Sequence, residues 1–317
     1  MPASILRDPI QIRLGGYGPP TTAFSKSLQF IGERLEAQFG DAIEIHYVWN
    51  IMDLGYRGED IIWLVESGLL TLGYQSSSYL TDRARALGFV DLPFQFRNNA
   101  HARDAMDGEL GRHLTDELEA NFDFRILGWF ENGFRHISNR LRSVRRPEDM
   151  AGMKIRVLPS DEQAKTFALL GAEPMKMDLT EAIAGVVDGS LDAQENPFAN
   201  TVTYGVHNHH PYHTATGHFY ISRPIFAHRP SVDAWPDELR AAAYAAVTEA
   251  VAFQRGLAEQ EAVDSRRAII EAGGEVIDLT ADEHAAFAAA VGPQLDEARG
   301  VYGAEMFRML DAARPSG

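Results

Sequence analysis

The chain has no cysteine among its 317 residues. That excludes disulfides, a thiolate nucleophile and cysteine-ligated zinc or iron–sulfur centres, and it leaves the redox compartment open. Positive charge is scarce: 29 Lys and Arg face 45 Asp and Glu, a formal net charge of −16. A field of that sign opposes nucleic acid and acidic membrane surfaces as partners. It also repels anionic ligands at long range, so any anion site needs Arg or Lys gathered locally. No apolar, uncharged run reaches the roughly 18 residues of a membrane span. Met1 to Pro9 show no charged segment leading into an apolar stretch, so no export signal is recognisable there. Enzyme signatures are missing as well. There is no Gly-x-Ser-x-Gly elbow and no Walker pattern, and Gly15-Gly16-Tyr17-Gly18 is out of register for a dinucleotide loop. No catalytic role and no cofactor are expected.

What is present is an ordinary globular mixture, 45% hydrophobic and 23% charged, in a length that suits two domains better than one. From Ile10 onward short apolar runs alternate with longer amphipathic segments, an α/β pattern. Ile10–Leu14 alternates as a strand. A helix follows over Thr22–Phe39, with Phe24, Leu28, Ile31 and Leu35 on one face. Ile43–Val48 reads as a second strand, Asp60–Glu66 as a helix, and Leu69–Tyr74 as a buried strand ending in polar Gln75 to Ser78. A later passage has the same shape: helix Glu181–Val187, a stop at Asp188-Gly189, a short strand Ser190–Ala193, then polar Gln194 to Pro197. Two such lobes, each offering a polar strand end, would face each other across a cleft, because open α/β sheets bind ligands beyond the carboxyl ends of their strands.

Between the two passages, Phe124–Phe130 and Arg135–Asn139 read as strands separated by Glu131-Asn132-Gly133, a crossover between lobes. Pro147–Met150 has the proline and acids of a helix start, and Lys154–Leu158 follows as a strand. Pro236 to Glu271 is alanine-rich and helical. At 1.5 Å per residue such a helix runs about 50 Å, enough to span both lobes.

The segments Asp91-Leu92-Pro93-Phe94-Gln95-Phe96, Gly128-Trp129-Phe130-Glu131-Asn132-Gly133-Phe134-Arg135, Arg146 through Val157, Leu170-Gly171-Ala172 and Val187-Asp188-Gly189…Gln194-Glu195-Asn196-Pro197 resemble, in order and spacing, the solute-binding proteins of TRAP (tripartite ATP-independent periplasmic) transporters of the dicarboxylate-binding type. The resemblance extends more loosely over nearly the whole chain. It implies a type II-like periplasmic binding protein, with residues 1–133 plus 222–261 as lobe I and 134–221 plus 262–317 as lobe II. It implies a periplasmic monomer whose export signal is absent from this chain, and whose partners are an organic acid and membrane permease subunits. The alternative with the same lobes is an extracytoplasmic ligand sensor docking on a signalling partner.

By the resemblance, Arg156 makes a two-pronged salt bridge to the ligand carboxylate, Asn196 reaches the ligand and Arg135 adds a second cation. A guanidinium fork fits this role, since it meets a carboxylate in two parallel hydrogen bonds where an ammonium acts as a point charge. In the first lobe Tyr17, Tyr74, Gln75, Ser76 and Phe94 fall at strand ends or turns where a cleft wall is expected. Leu179 stands where the family often places an aromatic ring; the loss of that ring, with the other aromatics nearby, points to a flatter, more apolar monocarboxylate, an aromatic acid included. Arg142, Arg145 and Arg146 read as solvated. Five histidines, His207, His209, His210, His213 and His218, invite a metal reading, but Pro211 breaks the helical spacing and no His-Glu-x-x-His arrangement exists. Polar packing where the chain returns between lobes is the expectation, and no metal.

Overall fold

The computed structural model describes residues 8–313. Expectations that fall on residues 1–7, the leader reading among them, and on residues 314–317 lie outside the described residues. Among the described residues nine strands form one mixed sheet: β1 Ile10–Gly15, β2 Ile43–Val48, β3 Leu72–Tyr74, β4 Phe124–Asn139, β5 Lys154–Val157, β6 Glu173–Lys176, β7 Ala193–Asn196, β8 Tyr212–His228 and β9 Glu275–Asp278. Their order is β2-β1-β3-β8-β4-β7-β5-β6, with β9 on β8. At one end β1 pairs in parallel with β2 and β3. At the other, β5 pairs in parallel with β6 and β7. The antiparallel pair β4 and β8 joins the two ends.

Local chemistry accounts for the elements. Ile12 and Leu14 of β1 are buried as their alternation demands. Thr22 caps the helix Ala23–Phe39 by accepting the N–H of Ser25, and Phe24, Leu28, Ile31 and Leu35 line the buried face.

Three expectations are corrected. The two strands expected around Glu131-Asn132-Gly133 are one strand, β4, of 16 residues. A register shift between Glu131 and Gly133 absorbs the irregularity, with Gly133 at φ 87°, a value glycine adopts without a Cβ clash. The strand expected at Ser190–Ala193 instead runs Ala193–Asn196. Its polar residues tolerate burial because each is bonded: Gln194 to Thr201 at 3.0 Å, Asn196 to Gln194 at 3.0 Å, and Glu195 to Arg135. The strand expected from Leu69 starts at Leu72. The turn after Gly68 leaves Leu69 exposed while the amide of Leu70 bonds back to the carbonyl of Leu64.

Apolar side chains gather in two main cores. Leu28, Leu72, Phe124 and Phe226 belong to the first, and Ile155, Val157, Phe167 and Phe219 to the second. Phe287 and Val291 join the second core, but Met306, Met309 and Leu310 of the helix Gly292–Ala312 pack into the first. The helices that follow the helix Asp237–Glu271 therefore contribute to both cores. The helix Asp237–Glu271 has 35 residues. Leu239, Ala243, Val247 and Val251 bury in the first core, and Ile269 is buried near its far end. Midway, Gln254 accepts the N–H of Glu131 at 3.0 Å and donates to its carbonyl at 2.8 Å, which ties this helix to β4 at the register shift.

Candidate functional site

A narrow cavity lies between the cores. Tyr17, Gln75 and Ser76 reach it from the β1 and β3 ends, and Arg135, Arg156, Leu179 and Asn196 from the other side. Tyr79, Leu158, Asn200, Tyr204 and Arg223 complete the lining. Gln75 and Ser76 follow the last residue of β3, and Asn196 is the last residue of β7, so carboxyl ends of strands from both halves of the sheet converge here.

Tyr74 and Phe94, expected in the cleft wall, are not among the residues that line this cavity. Tyr74 packs against the lining instead, its ring 5.2 Å from that of Tyr17 and 5.7 Å from the Arg223 guanidinium. It also stacks on Phe24 at 5.1 Å and meets Phe130 edge-on at 5.8 Å. Phe94 has a left-handed φ of 54° and donates its N–H to the carbonyl of His218. Its ring packs edge-on against His284, in a separate surface depression.

The arginines differ in what they hold. Arg156 is 2% exposed. Its Nη2 donates to the Tyr79 hydroxyl at 2.8 Å and to the carbonyl of Met177 at 3.0 Å, and its Nε to the same carbonyl at 3.2 Å. Among the described residues these neutral oxygens are its partners, which leaves the charge and the Nη1 edge for a ligand. Arg135 is also buried, but both carboxylate oxygens of Glu195 occupy its Nε and Nη2. Burial alone would raise the pKa of Glu195, yet the Arg135 charge, the hydrogen bonds from Arg135 and the nearby His218 ring hold it below the usual value. The charge expected of Arg135 as a second ligand cation is thus already balanced.

Arg223 on β8 is a cation the sequence reading missed. It is 3% exposed, donates to Asn132 Oδ1 at 2.9 Å, and lies over the Phe24 ring at 4.0 Å. The available signal was an arginine inside an apolar strand, Ile221-Ser222-Arg223-Pro224-Ile225, without the family motif that marked Arg156. Amides bridge the wall: Asn200 donates to both Asn132 Oδ1 at 3.2 Å and Asn196 Oδ1 at 3.1 Å. Burial raises the pKa of Tyr17, Tyr79 and Tyr204, so these phenols stay neutral hydrogen-bonding groups.

The lobes are closed on each other. Asp178 caps the helix Leu179–Asp188 and accepts the N–H groups of Glu59 at 3.0 Å and Gly58 at 3.3 Å from the other lobe. Leu179 donates its N–H to the Tyr79 hydroxyl at 3.1 Å, and Arg57 pairs with Glu181 at 3.1 Å. Leu179 thus meets the cavity through a backbone-anchored turn.

The histidine run is packing. His210, His213 and His218 are buried, and His210 shares a hydrogen bond with Ser138 at 2.9 Å. Burial lowers the pKa of His210 to about 3 and of His213 to about 4. Among the described residues no three His, Asp or Glu side chains are grouped to hold a metal ion, and no helix is long and apolar enough to cross a membrane. Arg142 and Arg145 are exposed, as expected, although Arg142 also donates to the carbonyls of Asp149 and Ala151.

The sequence description of bacterial extracellular solute-binding protein, family 7 (DctP), matches residues 26–300. The chain belongs to this family. A family relative, a solute-binding protein of Verminephrobacter eiseniae, is 28% identical over 213 residues, 65% of this chain; the matched stretch spans 63% of that protein's length. The C4-dicarboxylate-binding periplasmic protein DctP of Rhodobacter capsulatus is 26% identical over 309 residues, covering 97% of this chain and 92% of the relative. The sugar acid binding protein DctPAm of Advenella mimigardefordensis, solved with galactonate, superposes with a TM-score of 0.91 at 25% identity, covering 96% of this chain and 98% of that one. The type II-like two-lobe architecture of family 7 is the architecture described above.

Proposed function

We propose that this chain is a periplasmic solute-binding protein that captures a small organic acid between its lobes and delivers it, as a monomer, to the membrane permease of a TRAP transporter. The observation that carries this reading is Arg156: a buried guanidinium with only neutral oxygens for partners, lining a closed cleft. A buried cation without a counter-charge is costly, and a ligand carboxylate supplies that charge. Asn196, Gln75, Ser76, Tyr17 and the turn at Leu179 form the rest of the contact surface, with Arg135 holding β7 in place through Glu195. The lobes divide near Gly133 in β4 and near Ser222 in β8, with the C-terminal helix shared.

The lining favours a polar acid over a flat aromatic one. Apart from Leu158 and Leu179, every lining side chain carries a hydrogen-bonding group. The Rhodobacter capsulatus relative is named for C4-dicarboxylates and the Advenella mimigardefordensis protein was solved with galactonate, which supports a polar acid as ligand. Thermal unfolding with a panel of dicarboxylates, sugar acids and aromatic acids tests the proposal. A ligand at 100 times its Kd adds about 2.7 kcal/mol. At least one polar acid should raise the melting temperature by several degrees, and a panel with no shift from any acid would overturn the reading.

A further inference from the structure

A second pocket opens against the first core, and it shares no lining residue with the cavity that holds Arg156. Gln95 and Arg97 reach it from the segment that precedes the helix Asn99–Asp107. The helix Gly292–Ala312 supplies most of the remaining wall, with Leu295 and Arg299 before Gly303 and with Phe307, Leu310 and Asp311 after it. Gly303 interrupts that helix at φ 76°, a left-handed value open to glycine, and residues of both limbs face one pocket as a result. His101 ties the walls together: its Nδ1 accepts the N–H of Arg97 and its Nε2 donates to the carbonyl of Leu310, each at 3.2 Å.

The chemistry of this pocket is cationic over an apolar floor. Arg97 and Arg299 bring two guanidinium groups against the single carboxylate of Asp311. Among the described residues no other Asp or Glu oxygen lies within the 4.0 Å of an ion pair with either arginine. Both are exposed, so a ligand in solution can reach them. Gln95 Nε2 is buried and has no hydrogen-bond partner. A buried donor left without a partner is costly, and an anionic oxygen is the strongest acceptor for it. Phe307 forms the floor with Leu295 and Leu310; its ring meets Phe89 edge-on at 5.0 Å and lies under Arg299 at 4.8 Å. In a chain of net charge −16, a local excess of positive charge beside apolar side chains is what an anion with a hydrocarbon body requires. We propose that this pocket is a second ligand site, for an amphiphilic monoanion: a carboxylate or sulfate head on Arg97, Arg299 and the Gln95 amide, and an alkyl body on Phe307, Leu295 and Leu310. The site goes beyond the function proposed above and does not depend on it. The same head chemistry occurs on a free amphiphile and on an anionic lipid in a bilayer, and the net charge of the chain favours the first.

Octanoate is the probe, titrated calorimetrically into the full chain, with octanol and acetate as controls. Octanol lacks the charge and acetate lacks the body, so each should bind at least about tenfold more weakly than octanoate. Arg156→Ala, whose cleft has lost its cation, should bind octanoate as tightly as the wild type does. Arg97→Gln combined with Arg299→Gln should weaken octanoate at least about tenfold. Both positions are exposed, so this double variant should keep the wild-type melting temperature. Arg112→Gln removes an exposed arginine outside the pocket and should leave octanoate affinity unchanged, which separates a bound head from the general field. Sedimentation with phosphatidylglycerol vesicles should leave the protein in the supernatant. The proposal is overturned by no octanoate binding, by binding that Arg156→Ala abolishes, by binding the double variant retains, or by an equal loss in Arg112→Gln. Vesicle binding that the double variant loses overturns the free amphiphile in favour of a lipid head. The cleft reading stands or falls separately, because its acids should bind the double variant as they bind the wild type.

Discussion

The Asp178 carboxylate accepts the backbone N–H of Glu59 across the cleft at 3.0 Å. The same carboxylate takes the N–H of Gly58 at 3.3 Å and, on its own lobe, that of Thr180 at 2.8 Å. One side chain therefore caps a helix and bonds the lobes together, with no ligand between its two roles. Hydrogen bonds to a charged group contribute about 1.5–3 kcal/mol each when well formed. Part of the closed state's stability is built into the chain, and the ligand adds its differential affinity to that.

Replacing Asp178 should loosen closure. Asp178→Ala is expected to weaken acid binding about tenfold, roughly the 1.4 kcal/mol per decade of a partly lost latch. Small-angle scattering should show a larger radius of gyration for the variant at sub-saturating ligand. Equal affinity and equal scattering profiles would remove Asp178 from the account of closure.

Gln254 ties the long helix to β4 through two hydrogen bonds with the backbone of Glu131. Both partners are buried, so Gln254→Ala leaves an N–H and a carbonyl without protein partners. The expected cost is about 2 kcal/mol in urea unfolding. A loss below about 0.5 kcal/mol would mean that water replaces the amide at this junction.

Acid should destabilise the protein well above the range where carboxylates titrate. Burial lowers His136 and His210 to about 3 and His213 to about 4. The unfolded chain binds these protons below about pH 6.5, while the folded chain refuses them. Stability is therefore lost as pH falls from about 6.5 towards 4, by up to about 1.4 kcal/mol per pH unit for each histidine. Asp91 works in the opposite sense: burial pushes its carboxyl up to about 6 despite the hydrogen bond from the Ser78 hydroxyl at 2.7 Å. Its penalty is present above pH 6 and relieved as the pH falls. The net expectation at pH 5 is an uptake of roughly two protons on unfolding. Urea midpoints at pH 7 and pH 5 measure it, and equal midpoints would contradict it. Asp91→Asn should stabilise the fold at pH 7.5 more than at pH 4.5, as the difference in melting temperature from wild type at each pH would show.

Much of this was legible from residues alone, for physical reasons that also explain the misses. The long helix announced itself because thirty-odd residues of alanine-rich sequence contain no proline and a single glycine, Gly256, and it runs Asp237–Glu271. Arg156 and Asn196 stand in short motifs, and the structure brings both to one cavity. The position of Arg135 was readable but its pairing was not, because Glu195 arrives through the β4–β7 ladder and is distant in sequence. β7 was placed too early because polar residues look like the end of a strand until their buried partners are known. Arg223 was missed because its setting is made by Tyr17, Phe24 and Tyr74, all remote in sequence.

The most direct test of the central claim is calorimetric titration of an acid that stabilises the wild type into Arg156→Lys and Arg156→Ala. Truncating one partner of a buried charged pair costs about 2–5 kcal/mol, so both variants should bind at least about 30-fold more weakly while retaining wild-type melting temperatures without ligand. Affinities within about threefold of wild type, less than 1 kcal/mol, would show that Arg156 does not hold the ligand and that the cleft is not the carboxylate site described above.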